Sequence, residues 1–185
     1  MSQPALFLDR DGVINVDHAY VHKKEDFEFI DGIFDLCRKA KELGYLIIVV
    51  TNQAGIGRGY YSESDFLKLT DWMKQVFSSE NAEINEVYHC PYHPEQGIGE
   101  FKKDSELRKP NPGMIFQAAK DYDINLEQSL IIGDKVSDIQ AGINAGLGRK
   151  FLFTPKQGMQ YIKKVKSSAA FSSHKEIIPH LKYRN

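Results

Sequence analysis

The sequence has little of what would fix or anchor a chain from outside its own core. Only Cys37 and Cys90 supply thiols, too few for a disulfide framework, and this predicts reduced cysteines in a cytoplasmic protein. The longest apolar stretch, Leu46 to Val50, is far short of the ~18 to 20 residues that cross a bilayer, which excludes a transmembrane helix and a membrane partner. Near Met1 the basic-then-apolar layout of a signal peptide is missing. Internal repeats and low-complexity segments are missing too. An excess of one charge is also absent overall: the net charge is -1 over 185 residues, the balance of one globular domain, 1–185. A chain of that length buries roughly 70% of its unfolded surface and needs no structural metal. A complete core of this size predicts a monomer.

The charge that is present is unevenly placed. From Arg149 onward nine basic residues face Glu176 alone, a net +8 that leaves -9 for residues 1–148. Such a tail could meet phosphates. It contains few aromatics and no nucleic-acid module, so the reading is a solvated basic C-terminal segment, 155–185, and no nucleic-acid partner.

Apolar runs alternate with helical periodicity. Ala5 to Leu8 reads as a buried strand, and Asp31 is placed to cap a helix through Ile33, Leu36, Cys37 and Ala40 that Gly44 ends. Tyr45 to Val50 is a second strand, and Ser62 opens a helix carrying Phe66, Leu69, Met73 and Phe77, with Trp72 near its buried face. Further strands follow at 85–89, 129–132, 149–153 and 169–171, with helices after Pro112 and Asp134 and a short helical piece over 174–181. Strands apolar on both faces and separated by helices predict an α/β fold, a doubly wound parallel sheet of Rossmann-like type, with function at the carboxyl ends of its strands. Residues 89–110, with Pro91, Pro94, Gly97 and Gly99, break the alternation as a long loop over the site.

At the expected strand ends stand Asp9-Arg10-Asp11, Thr51-Asn52-Gln53, Arg108-Lys109 and Gly133-Asp134-Lys135. Carboxylates crowd together only when a cation or proton offsets them. Oxygen ligands with open positions suit Mg2+, which pairs with a phosphate. In that setting Asp9 is a candidate nucleophile that would form an aspartyl phosphate, and Asp11 a candidate acid and base. Thr51 and the Asn52 N–H could hold phosphoryl oxygens, Lys109 could stabilise the transferring charge, and Asp134 would complete the metal site. Asp138, four residues on, could reach the metal through water or orient its neighbours.

Leu-Phe-Leu-Asp9-Arg-Asp11-Gly-Val, Val-Val-Thr51-Asn, Lys109-Pro and Ile-Gly-Asp134-Lys-Val-Ser-Asp138 match in order the four motifs of the haloacid dehalogenase superfamily. The longer strings DRDGVINVDHAYVHKKEDFEFIDG, VVTNQAGIGRGYYSE, RKPNPGM and IGDKVSDIQAG resemble its D-glycero-D-manno-heptose 1,7-bisphosphate 7-phosphatases, relatives of the histidinol-phosphatases. The resemblance spans residues 5–150. It implies a Mg2+-dependent phosphoric monoester hydrolase that removes the 7-phosphate of a small sugar bisphosphate in nucleotide-heptose biosynthesis, serving lipopolysaccharide or capsule. It also implies metal ligation by Asp9, Asp11 and Asp134, and substrate contacts at Asp9 to Asp11, Asp17, His18, Ala19, Tyr20, Thr51 to Ala54, Arg108, Lys109 and Lys135. Arg108 would clamp a second phosphate, with Lys135 another cation.

One segment departs from the family. Many relatives carry a zinc site in the long loop, but here it reads Cys90-Pro91-Tyr92-His93 and Ser105-Glu106-Leu107, with a single ligand at a matching position. Zinc is therefore not expected, and packing or substrate must fix the loop. Histidines other than His18 read as surface or packing residues, Cys37 as core, and Gly55, Gly57 and Gly59 as turn residues. The rival enzyme is a histidinol or other small sugar phosphatase. The rival non-enzyme is a phospho-receiver domain, whose phosphorylated Asp follows a later strand than its acidic pair.

Overall fold

The computed structural model describes residues 2–155 and 166–182. Lys156, Lys163, Lys164 and Arg184 of the basic C-terminal segment lie outside the described residues. Six parallel strands form one sheet in the order β3-β2-β1-β4-β5-β6: β1 (Ala5–Leu8), β2 (Leu46–Asn52), β3 (Glu86–Cys90), β4 (Leu130–Gly133), β5 (Arg149–Phe153) and β6 (Ala169–Phe171). This is the expected doubly wound sheet. Its order reverses between β1 and β4, where the crevice at the carboxyl ends of open α/β sheets lies.

The strands are apolar on both faces because both faces are covered. Leu6, Leu8, Ile47 and Val49 pack on α1 (Ile33–Glu42) and α3 (Glu63–Ser79) through Leu36, Cys37, Met73 and Phe77. Phe7, Ile48, Val50 and Ile131 face α4 (Gly113–Tyr122) and α5 (Val136–Asn144) through Met114, Ile115, Ala118 and Ala141. A short α2 (Ala54–Gly57) follows β2 directly. Ser62 caps α3 as expected, its hydroxyl taking the Asp65 N–H while the Asp65 carboxylate takes the Ser62 N–H. Trp72 is only partly buried, at the rim of the core against Phe27 and Phe29.

The start of α1 differs from expectation. Its N-cap is Gly32 at φ 84°, not Asp31. The chain enters the helix through left-handed backbone, which glycine adopts without steric cost. Asp31 is left exposed, 3.2 Å from Lys175.

The long loop starts one residue after β3 ends at Cys90 and is held by packing and hydrogen bonds. Tyr92 and Phe101 pack against separate apolar clusters. Ile98 N–H donates to Gly57 O at 2.8 Å, His93 N–H to Phe101 O at 3.0 Å, and Arg108 Nη1 to Tyr92 O at 3.1 Å. Lys103 Nζ sits 3.9 Å from the Tyr92 ring centre. Cys90 is buried, and burial pushes its thiol upward. No helix of the described residues is long and apolar enough to cross a membrane.

Beyond β5 the chain returns as β6 and α6 (His174–Ile177) to close one edge of the core. His174 is fully buried, stacked on Phe153 at 4.3 Å, with Nε2 2.8 Å from Val13 O. Burial lowers its pKa from 6.5 to about 4. The folded state therefore binds fewer protons than the unfolded chain between those values, and stability falls as pH drops from about 6.5 toward 4, by on the order of 3 kcal/mol. His174→Gln is expected to flatten this slope, read as melting temperature at pH 7 and 4.5. A variant with the wild-type slope would count against it.

Candidate active site

The first residues beyond two adjacent strands place two carboxylates together. Asp9 follows β1 and Asp134 follows β4, and the Asp9 N–H donates to Ile132 O at 3.0 Å, locking the two strand ends in register. One carboxylate oxygen from each of Asp9, Asp134 and Asp138 lies within 4.8 Å of the others. Asp138 comes from the first turn of α5, where its Oδ2 accepts the Lys135 N–H at 2.9 Å.

One ammonium partly offsets these acids. Lys109 Nζ is 2.9 Å from Asp9 Oδ1, 2.6 Å from Asp138 Oδ1 and 2.7 Å from Val50 O, with its side chain 3% exposed. The Lys109–Asp138 approach is a close ion pair that compensates the charge of Asp138 Oδ1. Asp138 thus orients Lys109. Burial dominates the acids nonetheless. It pushes Asp9 up to about 6 against the lowering effect of Lys109, and it pushes Asp134 up to about 8, with the Asp9 charge adding to it. Burial opposes the charge on Lys109, but Asp138 and Asp9 prevail and hold its pKa above the ordinary lysine value.

Three acids against Lys109 and the nearby Lys135 still leave negative charge uncompensated, and Asp134 Oδ1 is buried with no hydrogen-bond partner. Oxygen donors, excess negative charge and an orphaned carboxylate oxygen fit a hard divalent cation such as Mg2+. Gly12 keeps that oxygen set in place. It adopts φ 90°, and a Cβ there would collide with the Asp134 carboxylate. Gly12→Ala is expected to weaken Mg2+ affinity at least ~10-fold, measured by calorimetric titration; unchanged affinity would refute the packing argument.

Asp11 faces away from this cluster. Its Oδ1 accepts from Arg10 Nη2 at 2.8 Å and Asn15 Nδ2 at 3.1 Å, and its Oδ2 from Gln53 Nε2 at 3.0 Å. Burial would raise its pKa, but the Arg10 guanidinium and these donors outweigh it and hold the carboxyl below the usual range. Gln53 is itself aligned by the Tyr61 hydroxyl, which donates to its Oε1 at 2.5 Å, while Gln53 Nε2 also reaches Thr51 Oγ1 at 2.9 Å.

The other residues singled out in the sequence divide in two. Asp11, Asp17, Ala19, Tyr20, Asn52, Gln53, Ala54, Arg108, Lys109 and Lys135 line one cleft of about 440 Å³. Thr51 lies buried at its floor, and Lys135 pairs with Asp17 at 3.3 Å across it. The Asn52 amide exchanges two hydrogen bonds of 3.1 Å with the Lys109 main chain, so this side chain positions Lys109. Two residues do not join them. Arg10 is 1% exposed, its guanidinium bonded to Val21 O at 2.7 Å and held near the Phe27 and Phe66 rings, because it neutralises Asp11 from beneath. His18 points out of the cleft toward Glu28, at 3.2 Å. Arg58 also lines the cleft, although the sequence reading gave it no role.

Comparison with known proteins finds relatives over most of the chain. The HAD-hydrolase-like family model matches residues 106–154. The chain is 56% identical over 181 residues to a D-glycero-alpha-D-manno-heptose-1,7-bisphosphate 7-phosphatase of Burkholderia mallei, covering 98% of this chain and 95% of that one. It is 45% identical to the D-glycero-beta-D-manno-heptose-1,7-bisphosphate 7-phosphatase of Escherichia coli K12, over 82% of this chain and 79% of that one. The crystal structure of a D,D-heptose 1,7-bisphosphate phosphatase from B. bronchiseptica, complexed with magnesium and phosphate, superposes with a TM-score of 0.82 at 24% identity, over 96% of this chain and 97% of that one, and shares the fold.

Proposed function

Because the chain belongs to the D-glycero-manno-heptose-1,7-bisphosphate 7-phosphatases, phosphoric monoester hydrolases of HAD-like fold, we propose that it removes the 7-phosphate of D-glycero-D-manno-heptose 1,7-bisphosphate through an aspartyl phosphate. The buried Asp9–Lys109–Asp138 group at the floor of a cation-lined cleft carries this reading. Asp9 Oδ1 is occupied by Lys109 and the Arg10 N–H, and Oδ2 accepts no hydrogen bond among the described residues. Asp9 Oδ2 is the oxygen that attacks phosphorus as the bond to the sugar oxygen breaks. Lys109 stays against Asp9 and meets the charge of the transferring group.

Asp9, Asp134 and the main-chain carbonyl of Asp11, which accepts no hydrogen bond among the described residues, would hold Mg2+. Bound there, Mg2+ supplies charge neutralisation on the phosphoryl oxygens. Asp11 is ionised in the substrate-free protein, as its donors require. A dianionic phosphate entering the cleft raises its proton affinity, so Asp11 takes up a proton with substrate and gives it to the leaving alkoxide. It then accepts one from the water that cleaves the acyl phosphate, leaving heptose 1-phosphate for nucleotide-heptose biosynthesis.

The alpha anomer is the preferred substrate in this proposal. Relatives named for alpha, at 56% and 45% identity, match over 98% and 96% of the chain, while those named for beta match over 76–82%. Phosphate release from both anomers and from histidinol phosphate tests this directly. The alpha anomer is expected to give the highest kcat/KM, activity to vanish with EDTA and return with Mg2+, and purified protein to hold no stoichiometric zinc. A preference for histidinol phosphate would overturn the substrate.

A further inference from the structure

The cations of the cleft fall into two classes. Lys109 pairs with Asp9 and Asp138, and Lys135 with Asp17. Arg58 and Arg108 line the same cleft and form no ion pair among the described residues. Each lowers the proton affinity of its neighbours there. Arg108 is held below its ordinary value by burial and by Arg58, and His93 by burial, Arg108 and Arg58 in turn. His93 brings no negative charge to offset them, and its Nδ1 is taken up by the Glu95 and Gln96 N–H groups. The carboxylates of that cleft, Asp11 and Asp17, are already paired with Arg10 and Lys135, and two guanidiniums lining one cleft with no carboxylate of their own are unfavourable unless an anion joins them.

Arg58 is also held in position. As the residue that closes α2, it lies 5.6 Å from the Tyr20 ring centre and 5.9 Å from that of Tyr60. The two rings meet edge to face at 4.7 Å. Tyr20 comes from a loop turn in which Ala19 and Tyr20 both adopt left-handed backbone, φ 60° and 56°, a conformation that side-chain-bearing residues adopt only when neighbours hold them there. Aromatic faces orient a guanidinium without neutralising it. The Arg58 Nε is buried with no hydrogen-bond partner.

The transferring phosphoryl group is served by Lys109 on the cleft floor, so the unpaired arginines are spare for a second anion. Resting on the bisphosphate reading, we propose that Arg58 is a specificity-determining residue that receives, with Arg108, the phosphate the enzyme does not cleave. A planar, always-charged guanidinium suits that task because it can grip two phosphate oxygens at once.

The test is the ratio of kcat/KM for D-glycero-alpha-D-manno-heptose 1,7-bisphosphate to that for the 7-monophosphate of the same sugar. Wild-type enzyme is expected to prefer the bisphosphate. Arg58→Met, which keeps the apolar stem between the tyrosines, is expected to lower the ratio about tenfold or more, chiefly through KM, with Arg58→Lys intermediate. An equal loss on both substrates, or none on either, overturns the role of Arg58 while leaving the substrate assignment standing. A wild-type enzyme indifferent to the second phosphate overturns both.

Discussion

Asp9→Asn is expected to lower kcat by about four orders of magnitude or more while leaving the fold intact. The chemical reason is that an amide oxygen cannot form the covalent intermediate, so both half-reactions are lost together. The structural reason for expecting a folded protein is equally specific. Asp9 is a buried carboxylate beside Asp134 and Asp138, and burial already pushes it up to about 6. Removing its charge relieves like-charge crowding, and Lys109 keeps Asp138 as partner at 2.6 Å. Stability should therefore move by no more than ~1 kcal/mol, because no buried charge is left alone. The measurements are steady-state phosphate release, melting temperature, and mass spectrometry of acid-quenched turnover, in which wild-type protein carries phosphate on Asp9. Turnover within tenfold of wild type would sink the nucleophile assignment.

The sequence made some parts of this site legible and hid others, for identifiable reasons. Asp9, Thr51 and Asp134 stand at or just beyond the ends of apolar runs, and a doubly wound sheet brings those ends together whatever the loops do. Asp138 was visible as a neighbour at helical spacing, but its role depended on Lys109, 29 positions away, entering the same pocket. Arg10 misled because it sits between two functional aspartates: its chain neighbours face the cleft, while its own side chain runs beneath Asp11 toward Val21. Arg58 was missed because the Gly-rich stretch around it gives no periodicity, and its place rests on contacts with Tyr20 from a distant loop. The capping of α1 failed for a local reason, since the entry needs a left-handed residue and Gly32 supplies it one position later than a side-chain cap would stand.

Lys109→Met should be the converse of the Asp9 variant and affect both activity and stability. Methionine fills the space of the lysine stem, so the change removes charge with little change in volume. It strips the compensating cation from Asp9 and Asp138, whose side chains are 6% and 1% exposed. Breaking a buried pair in this way costs about 3–5 kcal/mol, because the surviving charges remain desolvated. The expected loss in kcat is ~10² to 10³-fold, from missing stabilisation of the transferring group. The pH dependence follows from sign. Asp9 already binds a proton more readily when folded, at about 6, than its ordinary value of 3.8. Without Lys109 that difference widens, so metal-free Lys109→Met is penalised least near pH 5 and most above pH 7, where the folded Asp9 carboxylate must ionise. The decisive comparison is the double variant Asp9→Asn with Lys109→Met: taking away one of the orphaned charges should restore more than 1 kcal/mol of the loss. Chemical denaturation of the four proteins in EDTA measures it. Strict additivity of the two single changes would mean that Lys109 and Asp9 do not depend on each other, and the pairing that organises this floor would lose its energetic basis.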